Sequence, residues 1–68
     1  MSLKGKVVRL HEKGFGFIKA EDGHEYFFHA SAVKNGQWDA VQKGSDVEID
    51  DLDETEKGKR TERVFLQS

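Results

Sequence analysis

The sequence predicts an all-β fold, a small barrel of five antiparallel strands in one domain. The chain has 68 residues, which is enough for a single domain only. Its apolar and β-branched residues fall in short runs separated by turn residues, and no run is long enough for a full helix. Without cysteine, no disulfide can stabilise so small a chain. Barrel closure is favoured because it removes the exposed strand edges that promote aggregation.

Five segments are predicted as strands, each bounded by turn or loop residues. They are Leu3–Leu10, Gly14–Ala20, Glu25–His29, Asp46–Leu52 and Thr61–Gln67. The first ends at a turn over His11–Lys13, and the second ends at Glu21-Asp22-Gly23, which is a strong hairpin signal. The third is centred on two adjacent phenylalanines, Phe27 and Phe28.

The second half of the chain is more polar. Ala30–Val33 is expected to form one helical turn before an Asn35-Gly36 turn. In the fourth strand Val47 and Ile49 alternate with acids, which indicates one face toward solvent. Asp53–Lys59 is predicted as a charged loop, and in the last strand Val64 and Leu66 should face the same way.

Charge is distributed unevenly along the chain, although the net charge is only −2. Residues 1–34 carry six basic and four acidic residues, for a local charge of +2. Residues 35–56 carry one lysine and eight acids, for −7, and residues 57–68 carry four basic residues and one acid, for +3. A polyanion could therefore find a locally basic face, while long-range steering should be weak.

The stretch KGFGFI (residues 13–18) places Phe15 and Phe17 on one face of a strand. Either these rings fill the core, or they face solvent and Ile18 is buried. In the second case the glycines would let a crossing strand approach or would bend the sheet. His29, which shares a face with Phe27 on the next strand, favours the outward arrangement. Cations close in sequence, at Arg9, Lys13 and Lys19, do so too, because rings bordered by cations suit nucleobases and phosphates.

These motifs resemble those of the bacterial cold-shock proteins. KGFGFI matches the family's first ribonucleoprotein motif, and YFFHAS (residues 26–31) is similar to the second. Gly5-Lys6-Val7, Lys43-Gly44 and EKGKRTERV (residues 56–64) resemble the family's opening, fourth strand and closing segment. The resemblance implies a five-stranded OB-fold barrel that binds single-stranded RNA and DNA, and acts as an RNA chaperone, antiterminator or expression regulator.

The resemblance also implies a set of nucleic-acid-binding residues. They are Lys13, Phe15, Phe17, Phe27, His29 and Trp38, and we add the cations Arg9 and Arg60 to the predicted nucleic-acid-binding residues. Phe15 and Phe17 would stack successive bases, His29 would stack or bond a base edge, and Lys13 would contact the backbone. Trp38 stands in a polar loop. For this ring we favour contact with the ligand, and packing against the protein is the alternative.

Two departures from the family pattern reduce the number of aromatic rings expected to stack on bases. The family's opening strand normally reads K-W-F-N, and the corresponding residues here are Val8-Arg9-Leu10-His11, so Arg9 replaces a ring. Ala30 stands where the family has a large ring. Each base–aromatic stack is worth about 1–3 kcal/mol. We therefore expect micromolar rather than nanomolar affinity for short pyrimidine-rich strands.

Other functions are not favoured. The three histidines (His11, His24, His29) lack cysteine partners and paired helical spacing, so no metal and no cofactor are expected. Ser31 near His29 lacks a desolvating pocket, so no enzyme activity is expected. No apolar stretch suits a signal peptide or a membrane span, so we expect a cytoplasmic protein without membrane contact. We expect a monomer, with a weak dimer as the alternative. The competing function is a barrel that binds another protein.

Overall fold

The structure is a computed structural model that describes residues 2–36, 38–56 and 58–67. Its strands are β1 (Leu3–His11), β2 (Phe15–Ala20), β3 (Glu25–His29), β4 (Asp46–Thr55) and β5 (Gly58–Leu66). Two short 3-10 turns, Ala30–Ala32 and Trp38–Ala40, lie between β3 and β4. The strands close into a barrel in the order β1-β2-β3-β5-β4, which confirms the predicted all-β, five-stranded barrel.

Strand direction differs from the prediction at one place. The pairs β1–β2, β2–β3, β1–β4 and β4–β5 are antiparallel, as expected, but β3 and β5 run parallel, with Tyr26 beside Lys59 and Phe27 beside Arg60. The reason is one of parity. In a closed ring of five strands the directions cannot alternate all the way round, so at least one neighbouring pair must be parallel.

The predicted charged loop at Asp53–Lys59 is wrong for most of its length. β4 continues to Thr55 and β5 begins at Gly58, so the two strands form a long hairpin. Opposite charges face each other across it, with Lys59 Nζ 3.5 Å from Glu54 Oε2, and the Thr55 hydroxyl donates to the Gly58 carbonyl at 2.9 Å. These cross-strand pairs let a highly charged sequence form strands. Lys57, which was part of the predicted loop, lies outside the described residues.

The residues of the core show which way the two phenylalanines of β2 face. Ile18 of β2 and Phe28 of β3 are both 0% exposed, and they face the interior with Val7, Val47, Ile49 and Val64. Because side chains alternate along a strand, Phe15 and Phe17 must lie on the outer face of β2, and both are half-buried. Phe27 and His29 lie on the outer face of β3 for the same reason.

Gly16 lets β1 and β2 approach closely between the two outward-facing phenylalanines of β2. A Cβ at this position would lie 2.6 Å from the Arg9 carbonyl oxygen and 3.0 Å from the Phe28 ring. The register of β1 against β2 also shifts by one residue between Val7 and Arg9, which is the signature of a β-bulge. Any side chain at position 16 would therefore push β1 away from β2.

We predict that Gly16→Ala lowers the free energy of unfolding by about 1–3 kcal/mol, because the new methyl group overlaps backbone as well as a buried ring. Gly36→Ala is the matched control. Its Cβ would meet only the end of the flexible Leu66 side chain, which can rotate away. Urea denaturation of both variants measures the difference, and equal losses would show that the β1–β2 approach is not tightly constrained.

The β2–β3 turn is held by a hydrogen bond between Tyr26 and Asp22. The Tyr26 residue is only 4% exposed, and its hydroxyl donates to Asp22 Oδ2 at 2.7 Å. The backbone N–H of His24 donates to Asp22 Oδ1 at 3.0 Å. The His24 N–H, and then the Tyr26 hydroxyl, lower the pKa of Asp22. Burial, and then Asp22, raise the pKa of Tyr26 to about 12.

We predict that this hydroxyl makes the stability of the protein fall at alkaline pH. Below the ordinary Tyr pKa of 10.0 both folded and unfolded chains keep the proton, so the contribution is complete. Above it the unfolded chain ionises first, and stability falls until the pH reaches the folded pKa of about 12. Stability measured from neutral pH to pH 12 should therefore decline more steeply in the wild type than in Tyr26→Phe. Parallel curves for the two proteins would contradict the assignment.

Candidate nucleic-acid interface

The outer face of β1, β2 and β3 carries two rows of side chains, which together we call the platform. Strand register places His11, Phe15 and His29 side by side in the first row. It places Arg9, Phe17 and Phe27 side by side in the second row. Each row therefore takes one residue from each of the three strands.

The three phenylalanines of the platform form one continuous aromatic patch. The ring centroids of Phe15 and Phe27 are 5.5 Å apart, and those of Phe17 and Phe27 are 5.7 Å apart in an edge-to-face arrangement. All three residues are half-buried, so each ring keeps a solvent-facing surface. A contiguous aromatic patch on the surface of a small soluble domain is typical of a binding site.

Arg9 lies at the β1 end of the second row, where the sequence predicted a cation in place of a ring. Its guanidinium carbon is 5.9 Å from the centroid of the Phe17 ring, which is cation–π distance. The residue is exposed. The Arg9 guanidinium thus contacts the Phe17 ring, and because the residue is exposed the group remains available to a ligand from the solvent side.

β5 borders the platform on the other side with two cations. Arg60 pairs with Phe27 in the register, and a groove of about 440 Å³ runs between the rings and this strand. The residues that line it are Phe17, Phe27, Thr55, Gly58, Lys59 and Arg60. Arg60 Nη2 is 2.6 Å from Glu62 Oε1, while its buried Nε has no hydrogen-bond partner among the described residues. The groove therefore combines an aromatic wall with a cationic wall, which suits a base and its phosphate.

His29 is exposed and its ring is oriented by the 3-10 turn that follows it. The backbone N–H of Ser31 donates to His29 Nδ1 at 3.2 Å, and the Ser31 hydroxyl lies 3.1 Å from the same nitrogen. A neutral ring that accepts at Nδ1 carries its proton on Nε2. His29 thus has an N–H donor available for the edge of a base. Lys13 is also exposed, in the turn between β1 and β2 at the end of the platform.

Trp38 is not brought into ring contact with the platform phenylalanines in the described part of the chain. It is half-buried in the second 3-10 turn, where it packs against the hydrophobic core. Its ring centroid is 5.7 Å from that of Phe28, which faces the interior. The Trp38 ring therefore makes the packing contact that was the alternative to ligand contact. Contact between Trp38 and nucleic acid stays a prediction.

His11 is a platform residue that was not among the predicted nucleic-acid-binding residues. Its ring is stacked on Phe15, with centroids 4.6 Å apart and planes 8° apart. The period-two alternation from Arg9 and the short turn before Lys13 could have placed it on this face. Among residues 2–36, 38–56 and 58–67, no group of three His, Cys, Asp or Glu side chains is placed to hold a metal ion.

The acidic residues of the chain's middle segment lie mainly on another part of the barrel. Asp46, Glu48 and Asp50 alternate with buried residues on β4, which pairs with β1 and β5 and not with β2 or β3. These three acids thus lie on a strand that does not pair with the strands of the platform phenylalanines. In the described residues, no helix is both long and apolar enough to cross a membrane.

Comparisons with known proteins agree with this geometry. The family described as the 'Cold-shock' DNA-binding domain matches residues 3–66. Cold shock-like protein CspC of Bacillus cereus is 45% identical over 52 residues, which cover 75% of this chain and 80% of that protein. Cold shock-like protein CspE of Bacillus anthracis is 39% identical over 61 residues, which cover 88% of this chain and 85% of that protein.

The solved structure of Drosophila Unr CSD456 shares the fold. It has a TM-score of 0.77 and 23% identity, and the match covers all of this chain and 27% of that chain. The fold, the order of the two aromatic motifs and the family match over nearly the whole length agree with one another. The chain therefore belongs to the cold-shock domain family, whose members generally bind nucleic acids.

Proposed function

We propose that the protein binds single-stranded RNA and DNA by stacking unpaired bases on Phe15, Phe17 and Phe27. The observation that carries this proposal is the outward aromatic patch, in which Phe27 contacts both Phe15 and Phe17 while none of the three half-buried rings belongs to the core cluster. Arg9 and Arg60 flank Phe17 and Phe27 in one row across the sheet, and offer charge for phosphates on both sides of the rings.

The proposed role is that of an RNA chaperone, antiterminator or expression regulator in the cytoplasm. Bases in a duplex are hidden, so a stacking surface selects melted segments and shifts the equilibrium toward them by mass action. No chemistry and no nucleotide hydrolysis are needed. Weak binding is compatible with this role, because the RNA must be released to fold or to be translated.

The preferred ligand and the affinity for it are the next part of the proposal. We propose short pyrimidine-rich strands as ligands, as the resemblance implies, and micromolar affinity. The Phe17 ring is already in cation–π contact with Arg9, which stands where the family has a ring, and Ala30 adds no ring beside His29. We propose a monomer as the binding unit, because the platform is complete within one chain.

We also propose that the protein is not an enzyme. The pair of Ser31 and His29 is the strongest alternative, with 3.1 Å between the hydroxyl oxygen and Nδ1. Both residues are exposed, however, and the ring nitrogen that would take the serine proton already accepts the Ser31 backbone N–H. A serine nucleophile needs a free base and a site shielded from water.

We predict that Phe17→Ala weakens binding of a short oligothymidylate by about 5- to 150-fold, the equivalent of about 1–3 kcal/mol for one lost stack. Stability should change little, because the ring is only half-buried on the outer face. Fluorescence anisotropy measures the affinity, and urea denaturation measures the stability.

Phe65→Ala is the matched control for this change. Phe65 is also half-buried and also carries an arginine over its ring, with Arg63 Cζ 5.5 Å from the centroid, but it lies on β5 opposite Glu48 of β4. It should leave affinity unchanged. Equal losses in both variants, or unfolding of Phe17→Ala, would count against the stacking surface. A folded wild type that binds no oligonucleotide would favour the protein-binding alternative.

A further inference from the structure

His11 is the ring on the platform that sits most nearly face to face with a neighbour. Its plane is within 8° of that of Phe15, at 4.6 Å between centroids, whereas Phe15–Phe27 and Phe17–Phe27 are tilted by 35° and 70°. The two residues are opposite each other where β1 and β2 end at their turn. His11 therefore covers one face of Phe15.

The His11 ring is also held by a hydrogen bond on its edge. The backbone N–H of Lys13 donates to His11 Nδ1 at 3.2 Å, so in the neutral ring Nε2 carries the proton. Stacking on Phe15 and this bond fix the ring before any ligand arrives. A surface ordered in advance lowers the entropy cost of binding.

The second face of the ring is turned away from β2 and is open. β4 pairs with β1 only from Leu3 to Lys6. Beyond that point the described backbone bonds on this side of β1 are those of Val7 with Gly44 and Ser45. His11 itself is exposed. No strand in the described part of the chain thus covers the outer face of the imidazole.

We propose that the outer face of His11 is a further nucleobase subsite. One base stacks there, so that base, His11 and Phe15 form a continuous column that extends the platform across β1. Nε2–H is then a donor to an oxygen of the bound strand. This subsite rests on the proposed function. It gives β1 an aromatic ring for stacking at His11, two residues after Arg9, which itself carries no ring.

The test compares four proteins: wild type, His11→Ala, His11→Phe and His24→Ala. Affinity is measured against a series of oligothymidylates that differ by one nucleotide. His11→Ala should weaken binding of the longer strands about fivefold, the equivalent of about 1 kcal/mol for a small stacked ring. The strand length beyond which affinity no longer increases should also be one nucleotide shorter for His11→Ala than for the wild type. His11→Phe keeps the stack and should retain most of the affinity.

His24 is the matched control, since it is an exposed histidine in the β2–β3 turn and no ring contact is found for it among the described residues. His24→Ala should bind like wild type. In the wild type, the carbon-bound ring protons of His11 should shift upfield when the strand binds, as expected under a stacked base, and those of His24 should not move.

The outcomes separate this subsite from the function on which it rests. If the wild type binds no strand, both proposals fail. If Phe17→Ala weakens binding but His11→Ala leaves affinity and length dependence unchanged, only the His11 subsite is overturned. If His11→Ala strengthens binding, the imidazole competes with bases for the face of Phe15, which also overturns it. Thermal unfolding of each variant confirms that the comparisons are made on folded protein.

Discussion

The burial of Ile18 and Phe28 inside the β2–β3 hairpin is the interaction on which the candidate interface depends. Both side chains are 0% exposed, and the strand period of two then obliges the residues between them to face out. A slip of one residue in the pairing of Gly16 with Phe28 would exchange the two faces completely. The core therefore selects which rings a ligand can reach.

Gly16 connects this core to the surface. It leaves room for Phe28 on the inside and for the Arg9 backbone on the neighbouring strand. That close approach brings Arg9 over Phe17 and His11 over Phe15, so β1 caps both rows of rings. The platform keeps its three phenylalanines but lacks the family's rings at the positions of Arg9 and Ala30. On the β1 side it is bordered by Arg9 and His11, whose nitrogens offer charge and hydrogen-bond donors.

The sequence was sufficient for the local features of the fold and not for the long-range ones. Alternation and turn residues located all five strands, with β3 at its observed bounds. They also paired Phe15 with Phe17 and Phe27 with His29, while the nearby cations, His29 and the family resemblance favoured the outward face. The length of the β4–β5 hairpin was missed because a dense run of charges suggests a loop. Such a run is recognised as a strand only when it is known that the partner strand carries the opposite charges. The packing of Trp38 against Phe28 could not be located from the sequence for a similar reason, since Phe28 lies on another element.

The most direct measurement is an NMR titration with a short oligothymidylate that follows backbone and aromatic resonances together. We expect the largest shifts at Phe15, Phe17, Phe27 and His29. The cations that border the platform should show smaller shifts, and Phe65 should show none. Shifts centred on Arg63 and Phe65, or an absence of shifts at the platform under saturating ligand, would contradict base stacking on this face.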